Sequence, residues 1–499
     1  MNKLSGTLRL SMSFALLLGL ATHGMAGDAG LCAHEDAHDL QAVEADARLE
    51  ADGKKLEYKA RWTPLYLDDE TGCPAAVISA TSYTVETDPA GRRPLVFLFN
   101  GGPGASSSPL HFTLGPKRLQ TGENGERVLS SNPESLLKYA DLVFIDPVGT
   151  GFSRNFAGNT PYWNRQGDAE SVVAYINYWL ESHGRADSDY YLVGESYGAY
   201  RLAEMLPRLP SGKARGAVLV SPAIDFGGQS DSPGNELVHV SRLPTMAVAA
   251  WHHGKAHTDI ERSDENAERV WKRAGAFAET DYLTALFLGN RLGAEDRHML
   301  ATRVSSMTGV DLALVKKHDL KLPVQEFLNS LLDGKEVGRL DVRISAPRER
   351  ESASSDRPAG ANDPALGLGQ SNKIRSEPIR RYLVNDLGVD TDLGYYSLNL
   401  DLNFEWDWRS RERAPEFRVN PSENLANAMH EKSSFRLLVI GGFFDMATPV
   451  KGVEHTFTRS IFSPGQIELL FVPTGHSPFS SDRSRPALTE AVGRFIQNQ

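Results

Sequence analysis

Short apolar runs without polar alternation recur along the chain, at residues 95–99, 142–146, 190–193, 217–220, 435–440 and 467–472. Such runs predict strands covered on both faces. Helical spacing separates several of them. In 168–182, Val172, Tyr175, Ile176 and Trp179 fall on one side, and a further helix is expected to open at Ala199. Strands alternating with helices predict a mostly parallel central sheet flanked by helices, an α/β architecture. Upstream the period changes to two. Leu56, Tyr58, Ala60 and Trp62 alternate with polar residues, a turn follows around Asp68, Asp69 and Gly72, and 76–86 is extended again. That pattern predicts an antiparallel hairpin.

The sheet signal stops between Ile224 and about Ala426, where helical patterns occupy 245–253, 279–288 and 295–308 and a Ser/Arg/Pro/Gly-rich stretch runs from 347 to 372. The expected division is a core at 54–225 and 430–499, and a large, mainly helical insertion at 226–429 that caps the carboxyl ends of the strands. Residues 27–53 are polar and read as a mobile or weakly helical leader.

The first residues change the picture of where the chain works. Lys3 and Arg9 precede an apolar run at 10–20, and Gly24-Met25-Ala26 offers small residues for cleavage after Ala26, which predicts a signal peptide at 1–26. The run is too short for a permanent membrane anchor, and no later segment approaches the roughly 20 apolar residues of a membrane span. A secreted or periplasmic protein without a membrane anchor is expected. Removing 1–26 takes Lys3 and Arg9 away, so the formal net charge moves from −11 to −13. An acidic chain argues against nucleic acid or anionic membrane as partner. Cys32 and Cys73 are the two cysteines, and an oxidising compartment would allow them to pair or to stay apart.

The chemistry begins at Gly194-Glu195-Ser196-Tyr197-Gly198, directly after an apolar run and before a helix. Glycines at i−2 and i+2 relieve the crowding of a sharp strand-to-helix turn, which exposes the Ser196 hydroxyl as a candidate nucleophile. Alone, such a motif also arises as a small-residue turn. A serine nucleophile needs a base and a carboxylate to orient that base. Asp445 follows the run at 435–440 and His476 follows the run at 467–472, each just past a strand's carboxyl end. The chain order Ser196, Asp445, His476 is the order of an α/β-hydrolase triad. Asn100-Gly101-Gly102-Pro103-Gly104, after the run at 95–99, can offer a backbone N–H to an oxyanion, and Tyr197 can offer another.

Taken together, Asn100 to Ser107, Asp146-Pro147-Val148-Gly149-Thr150-Gly151-Phe152-Ser153, Gly194 to Gly198 and Gly475-His476 resemble the motif set of the serine carboxypeptidases, here as a bacterial-type exported member. The resemblance implies an α/β-hydrolase fold with a helical cap, no metal or organic cofactor, and release of C-terminal amino acids from peptide substrates. It implies Ser196 as nucleophile, His476 as general base and then acid, Asp445 as its orienting carboxylate, and the N–H groups of Gly102 and Tyr197 as oxyanion hole. By the same match Asn100, Gly101 and Glu195 bind the substrate's terminal carboxylate. Burial and like charge would then raise the Glu195 pKa; the plainer reading of Glu195 is a structural hydrogen-bond acceptor. Three positions depart from the pattern. Leu98 stands where family members usually carry a tryptophan, Ala105 where they carry the loop cysteine, and Thr113, before Leu114-Gly115-Pro116, where they carry a second glutamate.

Two rival functions share parts of this reading. An esterase or acyltransferase would use the same acyl-enzyme step, and a binding protein that has lost catalysis would keep the scaffold. His34-Glu35-Asp36-Ala37-His38 spells the zinc-protease motif, but in a polar leader with no apolar helix around it and no third ligand downstream. His111 is expected to be a packing or surface residue, and Trp251 and His252 are expected in the cap, where they could line the pocket.

Overall fold

The computed structural model of the chain describes residues 40–86, 93–122, 124–158, 160–210, 212–348, 359–367, 371–409 and 419–497. The expected signal peptide with its cleavage after Ala26, the motif at 34–38 and Cys32 lie outside the described residues, as do 349–358 and 368–370 of the polar stretch.

In chain order the strands are β1 (Val43–Ala51), β2 (Lys54–Asp68), β3 (Pro74–Thr84), β4 (Leu95–Phe99), β5 (Lys117–Thr121), β6 (Arg127–Ser131), β7 (Asp141–Asp146), β8 (Arg154–Asn155), β9 (Tyr190–Glu195), β10 (Ala214–Val220), β11 (Lys335–Val337), β12 (Ser345–Pro347), β13 (Lys373–Arg375), β14 (Tyr396–Asn399), β15 (Arg436–Gly442) and β16 (Ile467–Val472). Among the described residues they form a ten-stranded sheet in the order β1-β2-β3-β7-β4-β9-β10-β15-β16, with β8 beside β3. From β7 to β16 the neighbours are parallel, and β1, β2 and β3 join antiparallel. Each apolar run of the sequence is a strand of the parallel part.

The alternation of those strands divides the core in two. Val96, Leu98, Val218, Val220, Leu438 and Ile440 pack on one face, while Leu95, Phe97, Phe99, Ala217, Leu219, Leu437 and Val439 pack on the other. Side chains of successive residues point to opposite faces, so an apolar residue at every position fills both layers. Each fully buried Leu, Ile or Phe contributes about 1.5–3 kcal/mol. Helix α1 (Ser108–Leu114) follows the Asn100 loop, and on the second face lies α2 (Arg165–Ser182), capped by Asn164, whose side chain accepts from the Gly167 N–H. Its Trp179 ring meets Phe97 edge-on at 5.7 Å between centroids.

Three features differ from the sequence expectation. Residues 43–51, expected within a mobile or weakly helical leader at 27–53, form β1, paired with β2 from Val43–Trp62 to Ala51–Lys54. Its inner residues include three alanines, whose small side chains leave a faint period-two signal. The antiparallel hairpin of β2 and β3 is present as expected, but a second hairpin, β5 with β6, also follows the Asn100 loop. Between β10 and β15, two small two-stranded sheets accompany the helices; strands of three or four residues are too short to show a period.

The helices in that stretch include α4 (Leu237–His252), Ala267–Phe277 and Ala294–Thr308. Their own apolar core takes in Phe443, Phe444, Met446 and Val450, the residues around Asp445. Cys73 is disulfide-bonded, and Cys32 is the one other cysteine of the sequence.

Candidate active site

Ser196 sits between β9 and the helix α3 (Tyr197–Met205) with φ 60° and ψ −125°. A non-glycine residue at positive φ costs on the order of 1–3 kcal/mol and persists only where its surroundings hold it. Here the Ser196 N–H donates to the Val220 carbonyl at 2.9 Å, and the Ser196 carbonyl accepts from the Ala223 N–H at 3.2 Å. The flanking glycines are required by close approach. A Cβ on Gly194 would lie 2.5 Å from the Gly198 carbonyl oxygen, and one on Gly198 would lie 2.7 Å from that of Phe99.

The structure brings Asp445 and His476 together. Asp445 Oδ2 lies 2.7 Å from His476 Nδ1, and Asp445 is completely buried. Its Oδ1 accepts from the N–H groups of Ala447 and Thr448 at 2.8 and 3.1 Å, and the Thr448 hydroxyl donates to Oδ2. Burial opposes protonation of His476, but the Asp445 charge and its hydrogen bond outweigh it and raise the imidazole pKa, with Glu195 adding to the rise. Ser196 and His476 line the same cavity of about 600 Å³, together with Gly102 and Tyr197.

Around the same point the backbone offers donors. Tyr197 opens α3, so its N–H has no partner within the helix. Gly102, with φ 100°, brings its backbone to the cavity from the loop after β4. Gly101 packs directly on the serine turn: a Cβ there would stand 2.4 Å from the Tyr197 nitrogen and 2.6 Å from that of Gly198. Arg201, buried, fixes the loop from behind. Its Nε donates to Asp168 Oδ2 at 2.7 Å and its Nη1 to the Asn100 carbonyl at 2.5 Å. The loop's far end is held by Asp146, whose Oδ1 accepts from the Ser107 N–H and hydroxyl at 2.8 and 2.6 Å and whose Oδ2 accepts from Tyr395 at 2.8 Å. Burial pushes the Asp146 carboxyl up to about 6 against the pull of those donors.

Asn100 and Glu195 are both buried, but they lie beside the Ser196 cavity rather than in its lining. Asn100 Oδ1 accepts from the Leu110 N–H at 3.2 Å. Glu195 Oε1 accepts from the Ser477 hydroxyl at 2.7 Å, and Glu195 faces a second cavity of about 830 Å³. Burial raises its pKa, His476, Ser477 and Asn100 pull it down, and Asp445 pushes it further up. Thr113 lines that second cavity with its hydroxyl turned back, donating to the Pro109 and Leu110 carbonyls at 2.9 and 3.1 Å.

Several contributing residues are absent from the sequence reading. Thr448, three residues after Asp445, is an ordinary hydrogen-bonding turn signal visible only once Asp445 is chosen. Ser477 adjoins His476. The segment from Arg339 to Val342 crosses both loops, with the His476 N–H donating to the Leu340 carbonyl at 2.7 Å and the Met446 N–H to that of Arg339 at 3.0 Å. No local signal marks a contact of such sequence separation. Trp251 and His252, offered as pocket residues, do not line the Ser196 cavity. Trp251 is buried, donating to the Ile260 carbonyl, and His252 packs on Phe444 at 5.5 Å; Val238, Ser241 and Arg242 of α4 reach the cavity instead. His111 is a packing residue, stacked on Phe144 at 4.5 Å, and burial lowers its pKa to about 3.

With this geometry in place, comparison with known proteins identifies the segment that carries Ser196. Residues 82–228 match the family model described as serine carboxypeptidase. The chain thus resembles the serine carboxypeptidases over the loop from Asn100, the stretch after Asp146 and the serine turn, while Asp445 and His476 lie beyond the match. Serine carboxypeptidase-like 36 of Arabidopsis thaliana is 38% identical over 130 residues, 25% of this chain and 26% of that protein. The pheromone-processing carboxypeptidase of Sclerotinia sclerotiorum is 35% identical over 117 residues, 23% of this chain and 18% of that protein. The chain spans about a quarter or less of the length of these curated relatives. The crystal structure of a prohormone-processing carboxypeptidase from Saccharomyces cerevisiae aligns with TM-score 0.50 and 16% identity, over 88% of this chain and 91% of that one. That likeness concerns the fold, which is the α/β-hydrolase fold. Among the described residues no helix is long and apolar enough to cross a membrane.

Proposed function

We propose that the chain is a serine-type carboxypeptidase that removes C-terminal residues from peptides through Ser196, His476 and Asp445. The observation that carries the reading is the 2.7 Å contact of Asp445 with His476 beside the cavity that His476 shares with Ser196, on a chain whose serine segment matches the family. Ser196 Oγ attacks the scissile carbonyl carbon and its proton passes to His476 Nε2, while the N–H groups of Gly102 and Tyr197 donate to the oxyanion. As the tetrahedral intermediate collapses, the C–N bond breaks and the leaving amine takes the proton from His476. Water then attacks the acyl-enzyme with His476 as base, releasing the shortened peptide and restoring Ser196. Asp445 accepts from the His476 Nδ1–H and holds the ring in place. Phe226, Trp408, Val238 and Met446, apolar residues of the Ser196 cavity, suit an apolar side chain on the acyl side.

In this reading Asn100, Gly101 and Glu195 hold the terminal carboxylate, Glu195 in its protonated form, and 226–429 acts as a cap on a core of 54–225 and 430–499. Residues 1–26 direct export to a secreted or periplasmic location, with peptides as substrates. The esterase or acyltransferase reading draws on Thr113, whose hydroxyl is held by its own helix and supplies no second carboxyl group. Kinetics on an N-blocked dipeptide and its C-terminal amide separate the two. The carboxypeptidase reading expects the free acid to be hydrolysed at least tenfold faster; equal rates on both would reject it in favour of a site indifferent to the carboxylate.

A further inference from the structure

The Ser196 cavity and the second cavity share a wall made of sequence neighbours. Ser196 and His476 line the first, Glu195 and Ser477 line the second, and Ser477 donates to Glu195 there. Adjacent Cα atoms are 3.8 Å apart, so the second cavity begins one residue from the nucleophile. A substrate bridging Ser196 with its acyl part in the first cavity directs its leaving residue at the second.

Among the described residues, two of the second cavity's three arginines form no ion pair with a carboxylate. Of its three arginines, Arg485 is held by Glu134 and Asp482 at 2.8 and 2.7 Å. Arg118 and Arg127, on the β5–β6 hairpin, form no salt bridge among the described residues. Arg118 Nε and Nη2 face the side-chain oxygen of Gln120 at 2.8 and 2.7 Å once that amide is oriented to satisfy both groups, a neutral partner that leaves the charge uncompensated. Thr113, on the same lining, contributes no charge. Glu134 and Asp482 are already engaged by Arg485, which leaves Glu195 as the acidic side chain on the lining without an arginine partner. A guanidinium in a concave site offers paired donors that fit a carboxylate in two parallel hydrogen bonds.

We propose that this cavity receives the leaving residue and selects one with an acidic side chain, Asp or Glu, through Arg118 with Arg127. The inference rests on the carboxypeptidase reading for its role in turnover, and on the lining for its ligand. One leaving residue would then bring two carboxylates, the terminal one to Asn100, Gly101 and Glu195, and the side-chain one to the hairpin arginines.

The test compares kcat/KM for N-blocked dipeptides sharing one acyl residue and ending in Glu, Asp, Leu or Lys. The expected order places Glu and Asp at least tenfold above Lys, and Arg118→Gln is expected to lower the Glu-to-Leu ratio about tenfold while Arg118→Lys retains most of it. Both substrates are read on one preparation, so the ratio is independent of the fraction folded. A Glu-to-Leu ratio unchanged in Arg118→Gln overturns the proposal. If the wild-type chain hydrolyses none of the four dipeptides, the carboxypeptidase reading fails and the cavity is judged by calorimetry with free L-glutamate and L-leucine. Glutamate binding that Arg118→Gln removes upholds the cavity's selectivity; glutamate binding no tighter than leucine overturns it.

Discussion

The Ser477 hydroxyl donates to Glu195 Oε1 at 2.7 Å, tying the residue after His476 to the residue before Ser196. His476 and Ser196, the proposed base and nucleophile, are therefore linked through the residues next to them. Because Glu195 is buried and its pKa raised, its state of ionisation reaches both substrate and imidazole.

As pH rises through the raised pKa of Glu195, a charge appears beside the bound carboxylate and KM for a free-acid peptide is expected to climb. The same charge raises the His476 pKa. In Glu195→Gln the climb in KM is expected to vanish, and the acid limb of kcat, where His476 must lose its proton to act, is expected to move to lower pH. Separate pH profiles of kcat and KM check both shifts. A KM that keeps its wild-type pH dependence in the variant would remove Glu195 from carboxylate binding.

Thr448 acts through Asp445, as a positioning residue. Thr448→Val removes the hydroxyl that donates to Oδ2 while keeping the side-chain volume, so kcat is expected to fall about tenfold with KM within about twofold, and Thr448→Ser to recover most of the loss. A rise in KM with unchanged kcat would place Thr448 in substrate binding instead.

Gly101 is packed against the serine turn. Gly101→Ala would force its Cβ against the Tyr197 and Gly198 nitrogens, so one oxyanion donor or the other must move. A loss of about 10²–10³ in kcat is expected, the range for removing such a donor. Turnover near wild type, with unchanged circular dichroism, would contradict the assignment of this loop.

Asp146 makes a statement about stability. Its folded pKa of about 6 lies above the ordinary 3.8, so the fold favours the protonated acid. The associated stability is fully present below about pH 4 and is lost as pH rises through 6, roughly 3 kcal/mol in all. Asp146→Asn cannot ionise, and its melting temperature is expected to lack that decline between pH 4 and 7. Parallel melting curves for the two proteins would show that Asp146 is not the source.

Much of the core, and the meeting of Asp445 with His476, was legible because each rests on local pattern. The runs around Leu95, Tyr190 and Leu437 lack polar alternation since both faces of those strands are covered, and Gly194 and Gly198 mark the serine turn since nothing larger fits. Asp445 and His476 stood out by following such runs. What escaped depends on contacts between distant segments. Val43–Ala51 hides its strand period behind alanine. The hold of Leu340 on His476, and of Arg201 on the Asn100 loop, joins residues more than 100 positions apart. Arg118 reads as a surface residue of a polar stretch until the fold sets it on the cavity that Glu195 also lines.

The central claim is that Ser196 carries the acyl group during removal of a C-terminal residue. Its direct measurement is release of the free C-terminal amino acid from an N-blocked dipeptide by the wild-type chain and by Ser196→Ala at matched folded concentration. The account predicts steady release by the wild type and a loss of at least about 10⁴-fold in the variant. Release by Ser196→Ala within tenfold of the wild type would contradict it.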